Sequence, residues 1–221
     1  MVESKGWNWK IVQGDKAEYW LEPSIESYYV LTRWKSQGKK DLLDLGCGLG
    51  RHTILAAENG FYTKAFDLSE NAIERAKEYS KENGLKVEFE IGDMLELPYD
   101  DESIDCILCI NVISHTDTEG MKKIIRELKR ILRKDGECYI TLGSKETWGF
   151  KQEDWPLVDP NTRIRMDEGP EKGIPHFYAD YDLIKELFKD FTIEKIFQKE
   201  EYIERDGKTN SSYHYHLIIR K

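Results

Sequence analysis

Residues 41–143 alternate between short apolar strands and amphipathic helices, and this alternation restricts the chain to a small set of folds. Strands are predicted at 41–45, 62–67, 87–91, 104–112 and 137–142. Strands that alternate with helices indicate a parallel sheet with helices on both faces. Because such sheets bind ligands at the carboxyl ends of their strands, the residues directly after each strand are the candidate functional residues.

The C-terminal residues follow a different pattern. A helix is predicted at about 180–189, and strands are predicted near 191–197 and 212–219, with 206–207 as the turn between them. Two strands without a helix between them are most simply antiparallel neighbours. The sequence therefore predicts a doubly wound, Rossmann-like α/β fold, in which a mostly parallel seven-stranded sheet ends in a C-terminal antiparallel hairpin.

Two segments stand outside the alternation. Residues 1–40 are rich in aromatic side chains, and Asp15 is placed to cap a short helix there. Residues 144–178 hold four of the six prolines, and a long loop of this kind inside a compact domain is usually a lid or a binding loop. A chain of 221 residues suits one domain. Its predicted parts are an N-terminal helical cap at 1–40, a cofactor-binding core at 41–143, a lid insert at 144–178, and a C-terminal helix and hairpin at 179–221.

The charge and the hydropathy of the chain disfavour two classes of partner. The formal net charge is −9 and no basic cluster is visible, whereas proteins that bind nucleic acid usually carry a basic face. No apolar run approaches the length that crosses a bilayer, and the first residues lack signal-peptide character. The sequence therefore predicts a cytoplasmic protein without a nucleic-acid or membrane partner, and it leaves the oligomeric state open.

Two residue patterns that resemble metal sites have a simpler interpretation. Cys106 and Cys109 form a C-x-x-C, but residues three apart in a strand point to opposite faces, so both are expected to be buried, reduced thiols. His214 and His216 point to one face of a strand, but two ligands are too few to hold a metal alone. The sequence predicts no metal site.

The most informative spacing is found in Asp44-Leu45-Gly46-Cys47-Gly48-Leu49-Gly50, where a strand runs into a glycine-rich turn and then a helix. Glycines let a ligand approach the backbone closely, and the helix N-terminus favours an anionic group. The dinucleotide fingerprint G-x-G-x-x-G does not fit, because Gly50 comes one residue early. Acids also stand at the ends of the second and third strands, at Asp67 and Asp93. An acid at the end of the second strand can accept hydrogen bonds from both hydroxyls of a ribose.

Together these motifs resemble the class I S-adenosylmethionine-dependent methyltransferases. The resemblance covers residues 41–143 and rests on the glycine-rich segment, on Asp67, on Gly92-Asp93-Met94 with Leu97-Pro98, and on Asp105 entering the fourth strand. It implies S-adenosylmethionine as the cofactor and transfer of its methyl group to a small-molecule acceptor by in-line displacement. The family's seven-stranded sheet, whose last strand is antiparallel, also fits the predicted hairpin.

The resemblance implies roles for the residues of the glycine-rich segment and the second strand. The backbone at Gly46 and Gly48 would face the methionyl part of the cofactor, and Asp44 would help to hold its ammonium group. Asp67 would accept hydrogen bonds from the ribose hydroxyls, and Leu68 would lie against the adenine.

The resemblance places the rest of the cofactor after the third and fourth strands. Asp93 would accept from the adenine amino group, and the N–H of Met94 would donate to a ring nitrogen. Ile110 and Asn111, with His115, would wall the sulfonium end. The implied cofactor-binding residues are Asp44, Gly46, Cys47, Gly48, Gly50, Asp67, Leu68, Asp93, Met94, Ile110 and Asn111.

Acceptor residues come from three parts of the chain, and the catalytic residue is left unassigned. His115 follows the fourth strand, while His176 and Tyr178 end the lid insert; each is a candidate for catalysis, with a packing or surface role as the alternative. Trp20 either closes over the site or belongs to the core. The candidate acceptor-binding residues are Trp20, His115 and Tyr178. Arg165 either pairs with an anionic acceptor or is a surface charge.

Three other functions stay open. An RNA or protein methyltransferase would need a basic groove, which the net charge disfavours, and Asn111-Val112-Ile113-Ser114 stands where amino-methylating relatives carry D/N-P-P-Y. A nicotinamide-dependent dehydrogenase would need the G-x-G-x-x-G spacing. A non-catalytic binding module would keep the cofactor pocket without turnover. The sequence does not specify whether the acceptor atom is oxygen, nitrogen, sulfur or a metalloid.

Overall fold

Strands and helices alternate along the chain in the predicted order. The computed structural model describes residues 4–205 and 207–221, apart from the side chains of Asp15, Lys16, Arg205 and Lys208. The helix cap predicted at Asp15 and the turn predicted at Asp206 therefore lie outside the described residues. The helices are α1 (Asp15–Tyr19), α2 (Ile25–Ser36), α3 (Arg51–Glu58), α4 (Glu70–Glu82), α5 (Thr118–Ile131) and α6 (Tyr181–Leu187). The strands are β1 (Asp41–Leu45), β2 (Tyr62–Asp67), β3 (Val87–Ile91), β4 (Ile104–Cys109), β5 (Leu132–Ser144), β6 (Leu157–Asp159), β7 (Thr162–Ile164), β8 (Pro175–Ala179), β9 (Thr192–Arg205) and β10 (Lys208–Arg220).

Seven of these strands form the central sheet, in the order β3-β2-β1-β4-β5-β10-β9. The first five are parallel, β10 runs antiparallel to β5, and β9 runs antiparallel to β10. The predicted seven-stranded, doubly wound sheet with its C-terminal hairpin is confirmed. The strand order changes direction between β1 and β4, and sheets of this kind bind ligands at that point.

Helices cover both faces of the sheet because successive strand residues point to opposite sides. On one face, α5 buries a stripe that includes Ile124, Leu128 and Ile131, spaced as one side of a helix requires. On the other face, Val30 and Trp34 of α2 pack against the strands. Part of the segment predicted as an N-terminal cap is therefore packed as a layer of the sheet.

A buried carboxylate joins α2 to β5. Glu137 is 1% exposed and accepts hydrogen bonds from Arg33, at 2.9 and 2.7 Å, from the Trp34 indole at 2.9 Å and from the Gln37 amide at 3.0 Å. Burial raises the pKa of Glu137, but these hydrogen bonds outweigh it and leave the pKa below its ordinary value. The ionised carboxylate therefore fixes the position of α2 on the sheet.

Three strand predictions differ from the structure in length, and one of them is the fifth strand, which spans Leu132–Ser144 where 137–142 was predicted. The hairpin is longer than predicted, because residues 200–205 and 208–213 pair only with each other and carry mostly polar side chains without the alternation of a buried strand. The fourth strand is shorter than the predicted 104–112 and ends at Cys109. Asn111 adopts a left-handed conformation with φ of 59°, which turns the chain away from the sheet.

The insert predicted to lack regular structure contains β6, β7 and β8. Strand β8 continues the sheet beyond the end of β4, where it runs parallel to the last residues of β5, and β7 pairs with β8 in the antiparallel direction. The Asp159 carboxylate accepts hydrogen bonds from the amide and hydroxyl of Thr118, at 3.0 and 2.8 Å. The insert is thereby fixed above the carboxyl ends of β4 and β5.

The cysteines agree with the sequence interpretation, since all four are buried and unbonded to one another. Within the described part of the chain, no helix has both the length and the apolar character to cross a membrane.

Candidate functional site

The glycine-rich turn between β1 and α3 leaves no room for side chains. Gly46, Gly48 and Gly50 have φ angles of 71°, 54° and 90°, which side-chain-bearing residues rarely adopt. A Cβ on Gly46 would lie 2.2 Å from a methyl carbon of Val112, and one on Gly48 would lie 2.7 Å from the Trp9 ring. The sequence therefore needs glycine at both positions for its neighbours to approach the backbone.

Asp67 ends β2 and places its carboxylate at the edge of this turn. Its Oδ2 accepts from the Gly48 amide at 2.9 Å, and its Oδ1 accepts from the Ser69 amide at 2.8 Å. Burial raises the pKa of Asp67 despite these hydrogen bonds. A carboxylate offers about four acceptor positions, so two remain for the hydroxyls of a ligand.

Asp44 lies close to the turn but does not line the pocket there. It is 2% exposed, and its Oδ2 accepts from the Thr53 hydroxyl at 2.6 Å. Burial raises its pKa to about 6, although the hydrogen bond from Thr53 opposes the shift. Its predicted contact with the ammonium group of the cofactor stays a prediction.

The turn borders a narrow space of about 70 Å³, which we call the glycine-loop pocket. Eight of the eleven predicted cofactor-binding residues line it: Gly46, Cys47, Gly48, Asp67, Leu68, Met94, Ile110 and Asn111. The other three, Asp44, Gly50 and Asp93, do not. Residues from the ends of β1, β2 and β4 thus meet as the topology requires.

Residues 4–9, which we call the N-terminal strap, contribute Ser4, Lys5, Gly6, Trp7 and Trp9 to the lining of the glycine-loop pocket. The Ser4 hydroxyl donates to Asp93 at 2.6 Å, which occupies one oxygen of that carboxylate. The Lys5 amide donates to the carbonyl of His115 at 3.3 Å. The strap therefore joins the segment after β3 to the segment after β4.

The strap also contacts the insert and fills part of the pocket with indole rings. The Asn8 amide donates to the Pro170 carbonyl at 3.1 Å. Trp7 lies 5.0 Å from Trp9 and 4.6 Å from Trp20, measured between ring centroids. The ring nitrogen of Trp7 is buried without a hydrogen-bond partner among the described residues. All three rings line the glycine-loop pocket.

A second, larger space of about 560 Å³ lies between the insert, the strap and the hairpin, and we call it the insert cavity. Asn111 and His115, which follow β4, line both this cavity and the glycine-loop pocket. The amide N–H of Asn111 donates to Thr141 Oγ1 at 2.7 Å, and that hydroxyl donates to Asn111 Oδ1 at 2.9 Å. The two spaces therefore adjoin at the carboxyl end of β4.

Aromatic and charged side chains share the wall of the insert cavity. The aromatic residues are Trp7, Tyr19, Trp20, Trp148, Trp155, Phe177 and Tyr178, and the charged ones are Arg165, Asp167, Glu168, Glu171 and Glu201. All three predicted acceptor-binding residues, Trp20, His115 and Tyr178, lie here, as does His176.

Glu171 is the centre of a buried polar cluster in this wall. Its Oε1 lies 3.3 Å from His176 Nε2 and 3.7 Å from His115 Nε2, and its Oε2 is bound by Arg165. Burial raises the pKa of Glu171, but the two histidines and Arg165 outweigh it, so the carboxyl is ionised. Arg165 also binds Asp167 at 2.7 Å, so this guanidinium is a structural part of the site.

His214 enters the same cavity from β10. Among the described residues, none forms a hydrogen bond with its ring, and burial lowers its pKa, so the imidazole is neutral at pH 7. His216, which the sequence places on the same face, instead bonds the Tyr139 hydroxyl at 2.6 Å and stacks on Phe197.

Sequence reasoning missed three residues of this site, Glu171, Trp7 and His214. Glu171 and the ring of Trp7 were not singled out, because neither lies in a motif and the fold alone brings them to the site. His214 was considered only as half of a metal pair. The sequence did carry a signal for His214. The predicted C-terminal strand places it two residues before His216, on the same face of a strand that borders β5.

Residues 36–202 match the family described as "Methyltransferase domain". Norajmaline N-methyltransferase from Rauvolfia serpentina is 37% identical over 99 residues, which is 43% of this chain and 33% of that protein. The chain spans between 33% and 48% of the length of the first curated relatives that it matches.

Solved structures share the fold. A SAM-dependent methyltransferase from Methanosarcina mazei has a TM-score of 0.68 at 21% identity, over 83% of this chain and 93% of that one. The 1,6-didemethyltoxoflavin-N1-methyltransferase from Burkholderia thailandensis, with bound 1,6-didemethyltoxoflavin and S-adenosylhomocysteine, has a TM-score of 0.62 at 19% identity, over 94% of this chain and 82% of that one.

Proposed function

Because the chain belongs to the family of methyltransferase domains, whose cofactor is S-adenosylmethionine, we propose that it transfers the cofactor's methyl group to a small molecule held in the insert cavity. The observation that carries the proposal is the meeting of the two spaces at Asn111 and His115. A cofactor in the glycine-loop pocket would direct its sulfonium toward a molecule in the insert cavity. We further propose that residues 1–221 act as one domain.

The residues present fit this cofactor. Asp67 keeps two acceptor positions for the ribose hydroxyls, and Gly46 and Gly48 line the same pocket. The buried ring nitrogen of Trp7 is a donor without a partner at the same pocket. When bound, S-adenosylmethionine supplies a methyl group already activated by the sulfonium charge.

The chain's own contribution is alignment and exclusion of water. Methyl transfer from a sulfonium needs the nucleophile in line with the methyl carbon and a site closed to solvent. The strap and the insert close the site through the contacts of Ser4, Lys5 and Asn8. A base is needed only when the acceptor is protonated, and the neutral imidazole of His214 is available for that proton. His115, His176 and Tyr178 stay predictions as catalytic residues.

The walls of the insert cavity favour a flat, ring-containing acceptor. Trp148, Trp155 and Tyr178 present faces and edges against which a ring can pack. Relatives whose names specify an acceptor include norajmaline N-methyltransferase and 1,6-didemethyltoxoflavin-N1-methyltransferase, and both acceptors are small molecules. A nucleic-acid acceptor would need a basic surface, and the net charge is −9.

The proposal is tested by incubating the protein with S-adenosylmethionine and a panel of aromatic amines, phenols and thiols. Mass spectrometry should find one panel member heavier by one methylene group, together with S-adenosylhomocysteine. Transfer of the methyl group of S-adenosylmethionine to RNA or to a protein substrate, with none to small molecules, would contradict the proposed acceptor class.

A further inference from the structure

Two histidines and a glutamate converge on one wall of the insert cavity from distant parts of the chain. His115 follows β4, whereas Glu171 and His176 belong to the insert. One ligand atom from each of the three lies within 4.8 Å of the other two, and none of the three residues is exposed. No sequence spacing joins them, so the expectation of no metal site did not consider this group.

The hydrogen bonds around His176 determine whether its Nε2 is a donor or an acceptor. Its Nδ1 lies 3.1 Å from the carbonyl oxygen of Ile174, which can only accept, so Nδ1 carries the proton. In a neutral imidazole Nε2 then presents a lone pair, and it faces Glu171 Oε1, another acceptor, at 3.3 Å. Two acceptors at that distance need a cation between them, which is either a second proton on His176 or a metal ion.

We propose that His115, Glu171 and His176 bind a divalent first-row transition metal ion of the zinc type. With bonds of about 2.1 Å, ligand atoms in a tetrahedral site lie about 3.4 Å apart. The separations of 3.3 Å and 3.7 Å from Glu171 Oε1 are close to that value, and the ligand atoms of His115 and His176 lie within 4.8 Å of each other. Two imidazoles and one carboxylate select such metals over Mg²⁺ and Ca²⁺, which prefer oxygen ligands.

The surroundings support the ligands in the way that metal sites require. The Ile174 carbonyl fixes the tautomer of His176, and Arg165 holds the outer oxygen of Glu171. Asp167 balances the charge of Arg165, so the group with Glu171 carries a net charge of −1 and attracts a divalent cation. Three protein ligands leave a coordination position directed into the insert cavity, where an oxygen or nitrogen of an acceptor can bind.

The proposal is independent of methyl transfer, because it rests on three side chains and is tested by binding alone. The protein of 221 residues is stripped with a chelator, and Zn²⁺ is titrated in competition with a chromophoric chelator. Co²⁺ is then added in place of Zn²⁺, and its visible absorption reports the geometry of the ligands. We expect one ion per chain and a Co²⁺ spectrum of low coordination number.

Three variants assign the site. His115→Ala and His176→Gln should each weaken Zn²⁺ binding by more than about tenfold. His214→Ala is the matched control, since it removes a histidine from the same cavity and should leave the affinity for Zn²⁺ unchanged. Circular dichroism checks that each variant is folded. Wild-type protein that binds no Zn²⁺ would overturn the proposal and identify the cation as a proton, and so would equal affinity in all variants or a loss confined to His214→Ala.

Discussion

Replacement of Asp67 by alanine should strongly weaken the binding of S-adenosylhomocysteine to the glycine-loop pocket. The carboxylate already accepts from the amides of Gly48 and Ser69 and keeps two positions for ribose hydroxyls. Removal of the side chain leaves both hydroxyls without a charged acceptor.

The size of the effect follows from those two hydrogen bonds. A hydrogen bond to a charged group contributes a net of about 1.5–3 kcal/mol, so the pair contributes about 3–6 kcal/mol. Since about 1.4 kcal/mol is a tenfold change in affinity, Asp67→Ala should raise the Kd by about a hundredfold or more. Asp67→Asn keeps one acceptor oxygen and should fall between alanine and wild type.

Calorimetric titration measures these affinities, and thermal unfolding separates lost binding from lost folding. Glu70→Ala is the matched control, because Glu70 is an exposed acid near the same strand end that does not line the pocket. The wild-type affinity should also fall as the pH decreases through the raised pKa of Asp67, since a protonated carboxyl accepts fewer hydrogen bonds. A folded Asp67→Ala variant with a Kd within about threefold of wild type would refute the reasoning.

Three further changes test other parts of the account. Gly46→Ala should abolish cofactor binding and should lower the free energy of unfolding by more than Gly60→Ala does. Both glycines have positive φ, which costs alanine about 1–3 kcal/mol, but only the Cβ at position 46 meets a neighbour. Equal free energies of unfolding in urea for the two variants would argue against the overlap. Trp7→Ala should speed the dissociation of S-adenosylhomocysteine in stopped-flow fluorescence, because the strap loses the indole ring that packs against Trp20 at the pocket. An unchanged dissociation rate would show that the strap does not gate the pocket. Glu137→Ala should lower the free energy of unfolding at pH 7 by about 2–3 kcal/mol, because it leaves the Trp34 indole without an acceptor. Because the folded-state pKa of Glu137 is lowered, this difference should be full above the unfolded pKa of about 4.3 and should shrink as the pH falls toward the folded value; a difference that grows in acid would contradict the assignment.

The parts of the fold that follow from local pattern could be predicted from the sequence. Buried parallel strands such as β1 and β4 are short apolar runs, and the glycine-rich turn follows β1 directly. Asp67 could be placed at the pocket because it ends a strand next to β1 in the sheet. These inferences need only the periodicity of the chain and the rule that ligands bind at the carboxyl ends of parallel strands.

The parts that depend on tertiary contacts could not be predicted in the same way. The extended hairpin is stabilised by pairing of polar residues, which lack the alternation that identifies a buried strand. Glu171 reaches the site because β8 attaches the insert to the end of β5. Two residues of each strand pair there, and no local pattern specifies that pairing. The hydrogen bond between Asp44 and the Thr53 hydroxyl also follows from no local pattern, and the predicted contact of Asp44 with the cofactor stays a prediction.

The central claim is that the glycine-loop pocket binds S-adenosylmethionine, and the most direct test is a calorimetric titration of the wild-type protein with S-adenosylhomocysteine, with NAD as the comparison. The account predicts one molecule of S-adenosylhomocysteine per chain with micromolar affinity and no heat from NAD. Binding of NAD without binding of S-adenosylhomocysteine would contradict it and favour a dehydrogenase.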